Sequence, residues 1–141
     1  MKKLFFMLCL TLAAVNTYAG DDYVLYDSLY VDRNNVWTIS NNVQLNYGRY
    51  NKQHINIVSG GTLNINTTLY NHRDVCIWIE ADGKLVVNGG TIQNGIVAPE
   101  SGSSTTIKNG GVIVHSLEDY FEVPLGATFN FQQGKLNYRN N

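Results

Sequence analysis

Ile55 and Ile57, then Leu63 and Ile65, alternate with Asn56, Asn64 and Asn66. Twenty-two residues on, Ile77 and Ile79, then Leu85 and Val87, alternate with Trp78, Glu80, Lys84 and Val86. A spacing of two predicts short strands with one apolar face, and past the N-terminal segment no stretch shows the three-and-four spacing of a helix. Leu63 and Leu85, Ile57 and Ile79, and Gly61 and Gly83 all share one offset. A period near twenty residues, with short strands and glycine at the bend, predicts a coiled β-solenoid. One coil cannot bury its apolar face, whereas stacked coils bury a continuous column and pair each strand above and below.

Weaker copies of the phrase flank the clear ones. Downstream they supply Ile107, the Gly110-Gly111 corner and Ile113 between Val112 and Val114, then Val123, Gly126, Phe129 and Phe131, then Gly134, Leu136 and Tyr138. Upstream, Val36, Ile39, Val43 and Leu45 suggest an earlier coil. The run "NGIVAPESGSST" (94–105) reads as a loop bulging from one coil, because it is rich in small and turn-forming residues. An antiparallel sandwich or barrel would explain the alternation but not the shared offset.

The N-terminus changes the picture of the compartment. Lys2 and Lys3 precede an apolar run from Leu4 to Val15, with Thr17 and Ala19 at small-residue positions behind it. The run is shorter than the roughly 20 residues a spanning helix needs, so it reads as a cleaved secretory signal over residues 1–19. Cys9 lies inside the apolar run without the small residues that precede an acylated cysteine. The expectation is export to the periplasm, cell surface or exterior, with 20–35 as a capping segment and 36–141 as the repeat domain. Only Cys76 lies beyond the leader, so no internal disulfide is available to the mature chain. A net charge of −1, scattered along the chain, offers no basic stripe for nucleic acid. No second apolar stretch reaches membrane length.

The stretches "INIVSGGTLNI" and "IWIEADGKLVVNGGTI" resemble the repeats of right-handed parallel β-helices of the pectin-lyase-like type, found in many secreted and surface proteins of Gram-negative bacteria. The tryptophan of "NNVWTI" is similar to the lead-in of those repeats, and the likeness runs over residues 36–138. It implies an all-β fold, a single-stranded right-handed parallel β-helix of five or six coils. It implies no particular activity, since such repeats serve lyases, glycosidases, adhesins and spacers alike. Enzymes of the class have clefts across many coils, and this chain is short.

A lyase of that fold would need clustered carboxylates beside a basic group, and the nearest set is Asp74, Glu80 and Asp82 with Arg73 and Lys84. Asp82 precedes Gly83, where turn chemistry alone favours Asp, and Glu80 alternates outward from Ile77 and Ile79. His54, His72 and His115 are isolated, without metal-ligand spacing, and read as surface or turn residues. Cys76 sits with Trp78 opposite the apolar face, and only His72 is near enough in sequence to activate it. No cofactor or metal is indicated.

Aromatic side chains carry the functional hint. Trp78 points outward with Glu80, and Tyr47, Tyr50 and Tyr70 occupy turn-rich segments. Trp78, Tyr70, Glu80 and Tyr50 form the candidate set for glycan contact, flat rings stacking on sugars while polar groups bond hydroxyls. The asparagines of "NIN", "VNGG" and "KNGG" predict a stacked ladder. The acidic "LEDYFEVP" and polar "NYRNN" are candidate C-terminal caps, and incomplete caps would let solenoid ends self-associate. Three functional readings follow, in order: a non-catalytic adhesion or glycan-binding solenoid, a minimal or degenerate polysaccharide-degrading enzyme, and a structural spacer or assembly unit.

Overall fold

The computed structural model describes residues 15–18, 23–25, 29–40, 42–45, 54–71, 76–115 and 122–138. Every regular element among them is a strand. The first turn carries β1 (Val15–Tyr18), β2 (Tyr23–Leu25) and β3 (Leu29–Val31), and the second β4 (Val36–Ile39), β5 (Val43–Leu45) and β6 (His54–Ile57). The third has β7 (Thr62–Ile65), β8 (Thr68–Asn71) and β9 (Cys76–Ile79), and the fourth β10 (Lys84–Asn88) and the long β11 (Thr91–Pro99). Beyond them lie β12 (Ser104–Lys108), β13 (Val112–His115), β14 (Thr128–Gln132) and β15 (Lys135–Tyr138).

All the pairings are parallel, as expected of coils stacked in one direction. The first face runs β1-β4-β7-β10-β12-β14. The second runs β2-β5-β8-β11-β13-β15, and the third β3-β6-β9-β11. Leu63 lies against Leu85 and Ile57 against Ile79, so the shared offset is the vertical register of a parallel β-solenoid. β1 falls within the expected leader and pairs with β4, while the segment read as a cap supplies β2 and β3.

Five or six full coils were expected, and about four three-sided turns are present. The third face stops at β11, so β12–β13 and β14–β15 add only two-sided turns among the described residues. The loop expected at 94–105 is instead strand, turn and strand. β11 bends from the second face to the third, with its register against β13 shifting between Gln93 and Gly95, and it runs on to Pro99. Gly95 absorbs the bend. "ESGS" (100–103) is then the counterpart of "EADG" (80–83).

That corner repeats in every turn. Asn35, Gly61, Gly83, Ser103 and Ala127 each donate a backbone N–H to the carbonyl three residues earlier, at Asp32, Val58, Glu80, Glu100 and Pro124. The third residue of each tetrad has positive φ, at Asn34, Gly60, Asp82, Gly102 and Gly126, between 63° and 90°. This is the type II requirement, met by Gly and tolerated by Asn and Asp. The corners are bonded vertically too, as Asp82 N–H donates to Gly102 O (3.2 Å) and Gly102 N–H to Gly126 O (3.1 Å).

Inside, the side chains form columns. Ile39, Ile65, Val87, Ile107 and Phe131 stack on the first face beside Trp37, Leu63, Leu85, Thr105 and Phe129. Leu69, Ile92, Ile113 and Leu136 line the second, and Leu29, Ile55, Ile77 and Val97 the third. Trp37, not Val36, faces inward, because strict alternation makes 37 and 39 companions and puts 36 on the outside. Phe131 and Val123 sit in the last turn with no described strand above and are exposed. For Val43, Leu45 and Tyr138 the expected inward orientation lies outside the described side chains.

Thr105 is the polar interruption of a column. It is fully buried and its Oγ1 has no hydrogen-bond partner. Replacing it with valine keeps the shape and removes the cost of the unsatisfied hydroxyl. Thr105→Val is expected to stabilise the fold by about 1 kcal/mol, read as a higher urea midpoint with unchanged slope. A lower midpoint would contradict the assignment.

Candidate functional site

The third face is the flattest stage the solenoid offers for side chains. Leu29, Ile55, Ile77 and Val97 are buried, and Val31, Ile57 and Ile79 are too, so the residues between them must point outward. The outward column is Tyr30, Asn56, Trp78 and Ala98, in register through three parallel pairings. Tyr30 is 55% exposed and Trp78 45%, with Asn56 half-buried between them. Two rung spacings separate the aromatic residues along the axis, about 9.6 Å. Short strands and stacked corners hold both on rigid backbone.

Carboxylates border this row. Glu80 follows β9 as the first residue of its corner and is half-buried, and Glu100 holds the same place one turn later and is exposed. Glu80 Oε2 accepts a hydrogen bond from Ser59 N–H at 3.0 Å, so this side chain also satisfies the corner of the preceding turn. At the other end of β9 Cys76 is a half-buried thiol, in backbone register with His54 and Ile96.

Of the expected binding set, Trp78 and Glu80 share this face. Tyr70 is 45% exposed but stands on the second face, in the outward column with Gln93, Val114 and Asn137. Tyr47 and Tyr50 lie outside the described residues. The partner missed in the sequence is Tyr30. Its signal was the alternation of "SLYVD", where Leu29 and Val31 turn inward and leave Tyr30 outside, hidden because the segment read as a cap.

The acid-base set is divided. Arg73 and Asp74 lie outside the described residues, as does His72. Asp82 fills the positive-φ corner position, Lys84 is exposed at the start of β10 on the first face, and Glu80 holds Ser59 N–H. Among the described residues no group of three or more His, Cys, Asp and Glu stands where it would hold a metal ion.

His115 corrects a sequence expectation. Expected at the surface or in a turn, it is fully buried at the end of β13, and its Nε2 accepts the Val97 N–H at 3.4 Å. An accepting Nε2 places the neutral ring's proton on Nδ1. Glu100 N–H donates to Ile79 O of the turn below, so by alternation Val97 N–H points to the turn above. The third face has no described strand there, and the imidazole takes that N–H in its place.

The asparagine ladder expected from the sequence is present. Asn109 Nδ2 donates to Asn88 Oδ1 at 2.6 Å, and Asn88 Nδ2 to Asn66 Oδ1 at 3.3 Å. Asn42 Oδ1 likewise accepts from Thr67 Oγ1 at 2.8 Å. These amides tie turn to turn and are committed to the scaffold. Among the described residues no helix is long and apolar enough to cross a membrane. No family model, curated protein or solved structure matches the chain, so the faces of the solenoid are what its function must be read from.

Proposed function

We propose that this chain is an exported, non-catalytic right-handed β-helix of the pectin-lyase-like kind that acts at a surface by binding a linear glycan along its third face. The observation that carries this reading is the exposed column Tyr30, Asn56 and Trp78. Two rings about 9.6 Å apart match an extended saccharide whose alternate sugars stack on them, with the Asn56 amide bonding a hydroxyl in between. Ring stacking needs no conformational change in a scaffold this regular, which limits the entropic cost of binding. Glu80 and Glu100 beside the row repel a polyuronate, so neutral saccharides are the preferred class. The same repulsion weighs against the lyase alternative, whose substrate is anionic.

A screen of immobilised glycans followed by titration calorimetry tests the reading. Expected is binding to a neutral linear oligosaccharide, weakened at least about tenfold by Trp78→Ala or Tyr30→Ala, as for a hot-spot aromatic. Tyr70→Ala, on another face, leaves affinity unchanged. Absence of binding to every glycan, or full affinity in Trp78→Ala, defeats the proposal.

A further inference from the structure

The last turn ends the solenoid without ending its pattern. Among the described residues β14 pairs only with β12, and β15 only with β13, so each presents a backbone edge outward. Phe129 and Phe131 continue the two interior columns of the first face, their ring centroids 5.0 Å apart and tilted by 46°. Phe131 is nevertheless 54% exposed, and Leu125 and Val123 of the same turn are 97% and 43% exposed. A row of edge groups beside an apolar patch is a template for association.

We propose that this end binds the same end of a second copy, closing a tail-to-tail dimer. Whatever covers the patch must bring both apolar side chains and a strand edge. Among the described residues the other exposed large hydrophobics, Tyr30, Tyr70 and Trp78, lie on the lateral faces. Only the C-terminal end meets both demands, and it is complementary to itself. Charge permits the contact, since residues 122–138 hold one carboxylate, Glu122, and one cation, Lys135. A two-fold axis perpendicular to the solenoid sets one β14 antiparallel to the other and buries Phe131 against its symmetry mate. Such an interface is isologous and stops at two copies, whereas head-to-tail stacking would propagate without limit. The aromatic rows of the third faces then lie in one particle and double its valency for a repeating ligand.

Sedimentation velocity of the full chain over a range of concentrations tests this. A dimer is expected that does not grow further, and that dissociates to monomer in Phe131→Lys. Leu125→Lys, at a position too exposed to affect the fold, is the second variant, and it too should lose the dimer while keeping the wild-type circular dichroism. A wild-type chain that stays monomeric overturns the proposal. Oligomers that lengthen with concentration overturn it as well, because they require unlike ends to meet, and so does a dimer indifferent to both substitutions.

Discussion

Leu85→Ala is expected to cost about 3–4 kcal/mol of unfolding free energy, the largest effect of any conservative truncation in this chain. Leu85 is fully buried, with Leu63 beneath it and Thr105 above it in register. In a globular core, neighbours relax into part of the space that a truncation leaves. Here the neighbours above and below belong to strands held at the ladder spacing of about 4.8 Å by their backbone hydrogen bonds. They cannot approach, so the cavity persists and its cost is added to the lost transfer energy. Leu136→Ala is the natural comparison, because Leu136 is only partly buried at the end of its column and should cost about 1 kcal/mol. Urea unfolding of both variants decides the matter. Equal costs, or less than about 1 kcal/mol at Leu85, would mean that the columns are not a continuous core.

Gly61→Ala should cost about 2–3 kcal/mol, although it only adds a methyl group. A Cβ at Gly61 would lie 2.5 Å from Val31 O and 3.0 Å from both Asp32 O and Val58 O. All three obstacles are backbone, and the ladder holds them in place. Gly61 N–H donates to Val58 O at 2.7 Å and Thr62 N–H to Asn35 O at 2.9 Å, so relieving the clash breaks a corner. The same corner position carries Ser103 and Ala127 in later turns. The close approach of the turn beneath, rather than the turn type, is therefore what excludes a side chain at Gly61. Thermal and urea unfolding should both show the loss, and a wild-type midpoint would refute the close approach. The glycine that looked in sequence like a bend signal is first a spacer between two turns.

The readability of this chain follows from how local its information is. Strands with period two, and a corner recurring at a shared offset, state a parallel stack directly because each turn packs on its neighbours in the chain. That is why Leu63 over Leu85 and Ile57 over Ile79 could be read off the sequence, and the ladder of Asn66, Asn88 and Asn109 as well. The errors fall where the phrase is altered. At 94–105 the composition of small and turn residues concealed a strand, since Gly95 serves as a bend within β11 rather than a break. At 36–39 skipping from Val36 to Ile39 violated the alternation, and Trp37 took the inward place. His115 carried no local signal of burial, because its role depends on a Val97 N–H eighteen residues away.

The candidate site was half legible. Outward placement of Trp78 and Glu80 follows from the apolar neighbours Ile77 and Ile79 and needs no coordinates. Tyr70 has the same outward character and comparable exposure, yet a corner turns it onto another face, and no alternation within a strand encodes which face that will be.

The residues themselves settled the element type, the parallel direction, the inward columns and the ladder, since period and offset are local properties that survive any folding of the chain. Three things belonged to the tertiary structure: how many turns close on all three sides, that Tyr30 and Trp78 share one column, and that the last turn leaves Phe131 and Leu125 uncovered. Each depends on where corners fall and on what lies two turns away, distances over which sequence spacing in this solenoid is not constant.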